Sequence, residues 1–155
     1  MTQRGRYQKI VVPLDGSGWG ERAVAHAVDI ARSNDSEIIL LHIFKPPARE
    51  YTPEIALANQ GEQIQELRQQ MKQYLVGIRG ELRNQRIRTR TQYIEAEGAD
   101  VAHLICDFVN EEGADLVVMS THGRTGLGRL LFGSVARDVM ECVSVPVLLV
   151  KPERE

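Results

Sequence analysis

The sequence predicts an open α/β sheet: five parallel strands in the order 3-2-1-4-5, with helices on both faces, in one domain over residues 1–155. Three observations predict it. Short apolar runs alternate with helix-spaced amphipathic stretches along the whole chain, giving βαβαβαβαβ. The run Glu37–Phe44 is almost wholly apolar, as in strands that a parallel sheet buries on both faces. The most polar strand is the third, and the fifth carries Pro146, so these two are expected at the edges.

Each element follows from local chemistry. Lys9–Leu14 reads as a short strand buried on both faces, and Asp15–Gly18 as a turn. Ser17 is the expected N-cap of a helix marked by Ala23, Val24, Ala27, Val28 and Ala31, with Glu21 in its first turn. After the Glu37–Phe44 strand, Lys45–Pro53 holds three prolines and is expected to be loop. A helix over Gln60–Gln85 carries one apolar stripe: Ile64, Leu67, Met71, Tyr74, Leu75, Ile78 and Leu82. Ile87–Ile94 reads as the third strand, with Arg88, Arg90 and Gln92 on one face. Gly98 precedes a helix marked by Val101, Leu104, Ile105, Phe108 and Val109. Asp115–Met119 is the fourth strand, Val135, Val139 and Cys142 mark the last helix, and Val145–Val150 is the fifth strand.

Composition narrows the class. A chain of 155 residues with 43% hydrophobic and 26% charged residues can bury a real core. A net charge of -2 argues against non-specific nucleic-acid binding, and the run Arg83, Arg86, Arg88 and Arg90 reads as a solvated surface. No apolar segment approaches the ~20 residues needed to span a bilayer, and Met1–Arg6 lacks the apolar run of a signal peptide. Cys106 and Cys142 show no metal spacing and read as buried thiols, which suits a reducing cytoplasm. No metal pairing is seen for His26 or His103. His42, in an apolar strand, reads as a satisfied structural histidine.

In the order 3-2-1-4-5 the connections change direction between strands one and four. Ligands of open α/β sheets bind at that switch, beyond the strand C-termini. The loops expected there are Asp15–Gly18 and Ser120–Phe132. The second opens a helix, whose free N–H groups and positive end suit an anion. Two common phosphate signatures are absent. There is no G-x-x-x-x-G-K-[ST]. The third glycine of a G-x-G-x-x-G beginning at Gly16 would fall on Glu21.

What remains is Ser120-x-x-Gly123, nine residues, then Gly133-Ser134. This resembles the G-x2-G-x9-G-[ST] element of the universal stress protein family, with Ser120 in place of the first glycine. Ile10–Ser17 resembles that family's first strand and turn, Leu41–Ile43 the end of its second strand, and Val145–Val150 its closing strand. The resemblance covers nearly the whole chain. It implies an adenine nucleotide alpha hydrolase-like fold that binds ATP, with or without Mg2+, across the switch point.

Carried over by position, Pro13, Leu14 and Asp15 would border adenine and ribose, and Ile43 would meet adenine through its backbone. Met119, Ser120, His122 and Gly123 would line ribose and phosphates. Gly133, Ser134 and Val135 would hold phosphate at the last helix's N-terminus. Arg124 and Arg129 either clamp phosphate or are solvated. Asp15 either meets the ligand or only forms the turn. The resemblance also implies a homodimer through the C-terminal edge strand.

The leading expectation is a cytoplasmic, ATP-binding regulatory or stress-response module without catalytic or metal-ligating residues. The alternatives are a dimeric interaction module that binds no nucleotide, or a slow ATPase that phosphorylates itself at Ser134 or Thr121.

Overall fold

In the computed structural model, which describes residues 5–47, 54–122 and 133–152 (backbone only over 54–59), the element order is the predicted one. The elements are β1 (Lys9–Pro13), α1 (Gly18–Asn34), β2 (Glu37–Phe44), α2 (Glu54–Asn84), β3 (Thr89–Glu95), α3 (Val101–Glu112), β4 (Leu116–Ser120), α4 (Ser134–Cys142) and β5 (Val147–Val150). The five strands lie in the order β3-β2-β1-β4-β5 and all pairings are parallel. β1 sits against β2 with Val12 opposite Leu40, and against β4 with Val11 opposite Val117.

The strands are buried on both faces, so alternate residues feed two separate cores. Ile10, Val12, Ile38, Leu40 and Val118 pack against Ala23, Ala27 and Val28 of α1 and Leu75, Ile78 and Leu82 of α2. Val11, Ile39, Leu41, Val117 and Met119 pack against Ile105, Phe108 and Val109 of α3 and Ala136 and Val139 of α4. This double burial explains why β1, β2 and β4 read as continuous apolar runs rather than alternating ones.

Helix ends follow local chemistry. α1 stops where Asp35 turns left-handed at φ 55° and gives its N–H to Ala31 O. α3 starts at Asp100, whose side chain accepts from the His103 N–H, and stops at Gly113 with φ 65°. Ser17 has N-cap backbone geometry but makes no side-chain capping bond. Its hydroxyl is buried without a hydrogen-bond partner among the described residues. The turn is instead closed by Asp15, whose Oδ1 accepts the Ser17 N–H at 2.8 Å.

Four sequence expectations need correction. α2 begins at Glu54, ahead of Gln60. β3 begins at Thr89, because Arg86 adopts φ 62° and the Ile87 N–H still bonds back to Leu82 O at 3.0 Å. The basic run is not simply solvated. Arg83 Nε donates to Thr89 O at 3.0 Å, and Arg88 donates to Asp35 O at 2.6 Å. Arg90 bridges Glu37 at the start of β2 and Glu112 at the end of α3, at 3.0 and 2.5 Å.

The fourth correction concerns the cysteines. Cys106 and Cys142 are not separate buried thiols: a disulfide joins them, with Cα atoms 6.0 Å apart and a sequence separation of 36. They lie on successive helices packed on one face of the sheet. Neither helical periodicity nor metal spacing reports such a meeting.

Two measurable consequences follow from the charged and phenolic groups. Hydrogen bonds from Arg90, reinforced by Lys9, hold the Glu112 carboxyl below its usual range despite some burial. The carboxylate therefore stabilises the fold above its unfolded pKa, and this contribution fades as pH falls. Arg90→Ala is expected to cost about 1 kcal/mol at neutral pH and less once carboxylates are protonated. Urea unfolding at both pH values checks this.

Tyr74 is pushed up to about 12 by burial and by the Glu21, Asp15 and Glu81 carboxylates. Tyr93 is pushed up to about 12 by burial and by its hydrogen bond to Glu95. The folded chain keeps these protons where the unfolded chain, with a value of 10.0, releases them, so stability falls as pH rises from 10.0 to about 12. Tyrosinate absorbance should show a late-titrating component that shrinks in Tyr74→Phe and in Tyr93→Phe.

Candidate functional site

β1 and β4 lie side by side in the middle of the sheet. From β1 the chain passes to α1 on one face, and from β4 to α4 on the other. The diverging connections leave a cleft beyond the strand C-termini, as open α/β sheets require. A cavity of about 150 Å³ occupies it.

Ten of the twelve site residues expected from sequence line this cavity: Pro13, Leu14, Asp15, Ile43, Met119, Ser120, His122, Gly133, Ser134 and Val135. The other two, Gly123 and Arg124, lie outside the described residues, as do Gly126, Gly128 and Arg129.

The cavity has an apolar wall and a polar end. Leu41 and Ile43 from β2, Val101 and Ile105 from α3, and Met119 from β4 make the wall. The polar end gathers Asp15, Ser120, Thr121, His122 and Ser134. Asp15 serves the turn through Oδ1 and also lines the cavity, so its two readings are compatible.

Ser120 takes a part its small size did not suggest. Its hydroxyl donates to His122 O at 2.9 Å and lies 3.3 Å from the His122 N–H. The hydroxyl is thus tied to the backbone of the loop it opens. The His122 ring is held by Thr121 Oγ1 at 2.7 Å from Nδ1 and by Trp19, edge to face at 5.6 Å.

α4 completes the site. The Gly133 N–H donates to Thr121 O at 2.6 Å, which joins the two ends of the glycine-rich segment and sets the start of α4 beside the end of β4. The first-turn N–H groups, from Ser134 onward, have no acceptor one turn back within the helix. No acidic side chain lies in that turn, so the positive helix end is not compensated locally.

Sequence reading missed Gly20, Leu41, Val101, Ile105, Thr121 and Ala136 on the cavity wall. Val101 and Ile105 carried a signal, four residues apart on one helix face. Gly20 carried none, although a Cβ there would stand 2.9 Å from Leu14 Cδ2. The structural reading of His42 holds: it is buried, and its Nδ1 donates to Leu14 O at 2.7 Å, fixing the β1 turn against β2. His26 is exposed, and His103 pairs with Asp107 across one helical turn at 3.4 Å.

An open parallel sheet with an apolar cleft and a helix N-terminus at its switch point is the architecture in which α/β domains seat small anionic ligands. The chain belongs to the universal stress protein family, whose model matches residues 6–151. It is 34% identical over 153 residues to Universal stress protein MJ0531 of Methanocaldococcus jannaschii, covering 96% of this chain and 85% of the relative. Among solved structures, protein MJ0577 of the same organism superposes with a TM-score of 0.82 at 27% identity, over 97% of this chain and 100% of that one. A universal stress protein from Archaeoglobus fulgidus in complex with dAMP shares the fold at a TM-score of 0.64 and 24% identity, over 94% and 98% of the two chains. No helix among the described residues is long and apolar enough to cross a membrane.

Proposed function

We propose that this chain binds ATP in the cleft between β1 and β4, and acts as a nucleotide-dependent regulatory module in the cytoplasm. One observation carries the reading: an apolar wall faces an acid-free helix N-terminus across a single cavity. Adenine lies against Ile43, Met119 and Pro13, and hydrogen-bonds the Ile43 backbone at the C-terminal end of β2, past the last β1 pairing at Leu41. Asp15 takes the ribose hydroxyls. Ser134, Val135 and the following N–H groups take phosphate, helped by Gly123 and Arg124. Purine recognition in this fold is in keeping with the dAMP complex of the Archaeoglobus relative.

Isothermal titration with ATP tests the reading directly. Saturable binding at one site is expected, abolished in Gly133→Leu, whose side chain fills the approach to the α4 N-terminus. Absence of binding at millimolar nucleotide would sink it. Trp19 is the only tryptophan, so its contact with His122 gives an independent fluorescence signal for the same titration.

The functional unit in this proposal is a homodimer through β5. That strand pairs only with β4 among the described residues and exposes Leu148 by 36%. An unpaired apolar edge favours strand-to-strand association about a two-fold axis. Leu148→Lys is expected to shift the sedimentation coefficient from dimer to monomer.

A further inference from the structure

We propose that Cys106 and Cys142 form a reversible dithiol–disulfide couple whose oxidation state sets how firmly α4 is held against α3 at the cleft. The link from this brace to ligand affinity rests on the nucleotide reading above; the brace itself does not.

Placement carries the proposal. Cys106 follows Ile105, which lines the cleft from α3. Cys142 ends α4, whose first residues Ser134, Val135 and Ala136 line the same cleft. A covalent link between these helices therefore fixes two walls of one cavity. The ring it closes contains β4, Thr121, His122 and Gly133, hence the whole polar segment of the site apart from Asp15. The Cα separation of 6.0 Å lies where disulfides ordinarily occur, so the bond closes in this arrangement of the helices.

Accessibility makes the couple addressable. Cys106 is 3% exposed, whereas Cys142 is exposed at the end of its helix. A low-molecular-weight disulfide, RSSR, is the oxidant. The Cys142 thiolate attacks one of its sulfurs, forming a mixed disulfide and releasing one thiol. The Cys106 thiolate then attacks Cys142 Sγ and releases the second. Two protein thiols and RSSR thus give one protein disulfide and two RSH, with both electrons and both protons carried away on the released thiols. Reduction by a thiol runs the same steps backwards, entering at whichever sulfur is exposed.

The test uses full-length protein equilibrated with glutathione disulfide or with dithiothreitol. Free thiols are counted, amide exchange of the α4 peptide is followed by mass spectrometry, and ATP titrations run in parallel. Folded protein is expected to cycle between no thiols and two. Oxidation should slow α4 exchange about tenfold and tighten ATP binding several-fold, with none of these responses in Cys142→Ser. Because Cys142 is exposed, that variant keeps the core intact. Thiols that fail to cycle in the folded protein, or equal α4 exchange in both states, overturn the proposal. If exchange responds but ATP binds in neither state, the brace stands and the nucleotide reading falls. If ATP binds equally in both states and exchange is unchanged, the brace falls and the nucleotide reading stands.

Discussion

Replacing Ser134 with aspartate is expected to raise stability while sharply weakening nucleotide binding. Ser134 is the first residue of α4, behind the Gly133 N-cap, and no acidic side chain occupies that turn. A carboxylate there interacts with the positive helix end and stabilises the helix by about 0.3–1 kcal/mol. The same carboxylate stands where phosphate must sit. About 5 Å from a phosphate oxygen, at an effective dielectric near 40, it is repelled by roughly 1–2 kcal/mol for each charge. Acting on more than one phosphate charge, this lowers affinity by about a hundredfold. Ser134→Ala, which removes the hydroxyl without adding charge, should retain most of the affinity. Urea unfolding and ATP titration on the same preparations check both signs. Affinity that survives Ser134→Asp would put the phosphates elsewhere. A joint loss of stability and binding would mean only that the helix had been disrupted.

Opening the Cys106–Cys142 bond is expected to have the largest effect on stability. The two residues are 36 apart in sequence. Closing a ring of that size restricts the unfolded chain by about 4 kcal/mol in the chain-entropy treatment. For a chain of this length that corresponds to a fall in Tm of roughly 10 °C. Reduction should also raise the dependence of unfolding on denaturant, because the unfolded state loses its cross-link and exposes more surface. Guanidinium and thermal unfolding of oxidised and reduced protein, with the Cys106→Ala, Cys142→Ala double variant as reference, measure all three quantities. Superimposable curves for oxidised and reduced protein would show that the bond constrains nothing.

The parts of the molecule that were readable from sequence are those in which one local pattern has one physical cause. β2 and β4 are almost wholly apolar because both faces are covered, and Pro146 and the polar β3 identified the two edges. Once the strand order was fixed, the switch point followed. Asp15, Ile43, Met119, Ser120 and Ser134 then came to one cavity although they are distant in the chain. What could not be read depends on which side chains meet across elements. Arg90 looks like one more surface cation until Glu37 and Glu112 are brought to it from two different elements. The two cysteines are unremarkable within their own helices and meet only through the packing of α3 on α4. Trp19 sits on the polar start of α1, and only the fold shows that it fixes the His122 ring. The Ser120 hydroxyl is engaged with the His122 backbone, a contact that only the fold reveals.

Chemical-shift mapping with 15N-labelled protein and ATP tests the central claim most directly. Saturable shifts are predicted at the amides of Ser134, Val135 and Ala136, where phosphate meets the α4 N-terminus, together with shifts at Asp15 and Ile43 from ribose and base. Shifts confined to the groove between α1 and α2, or no saturable shift at millimolar ATP, would contradict it.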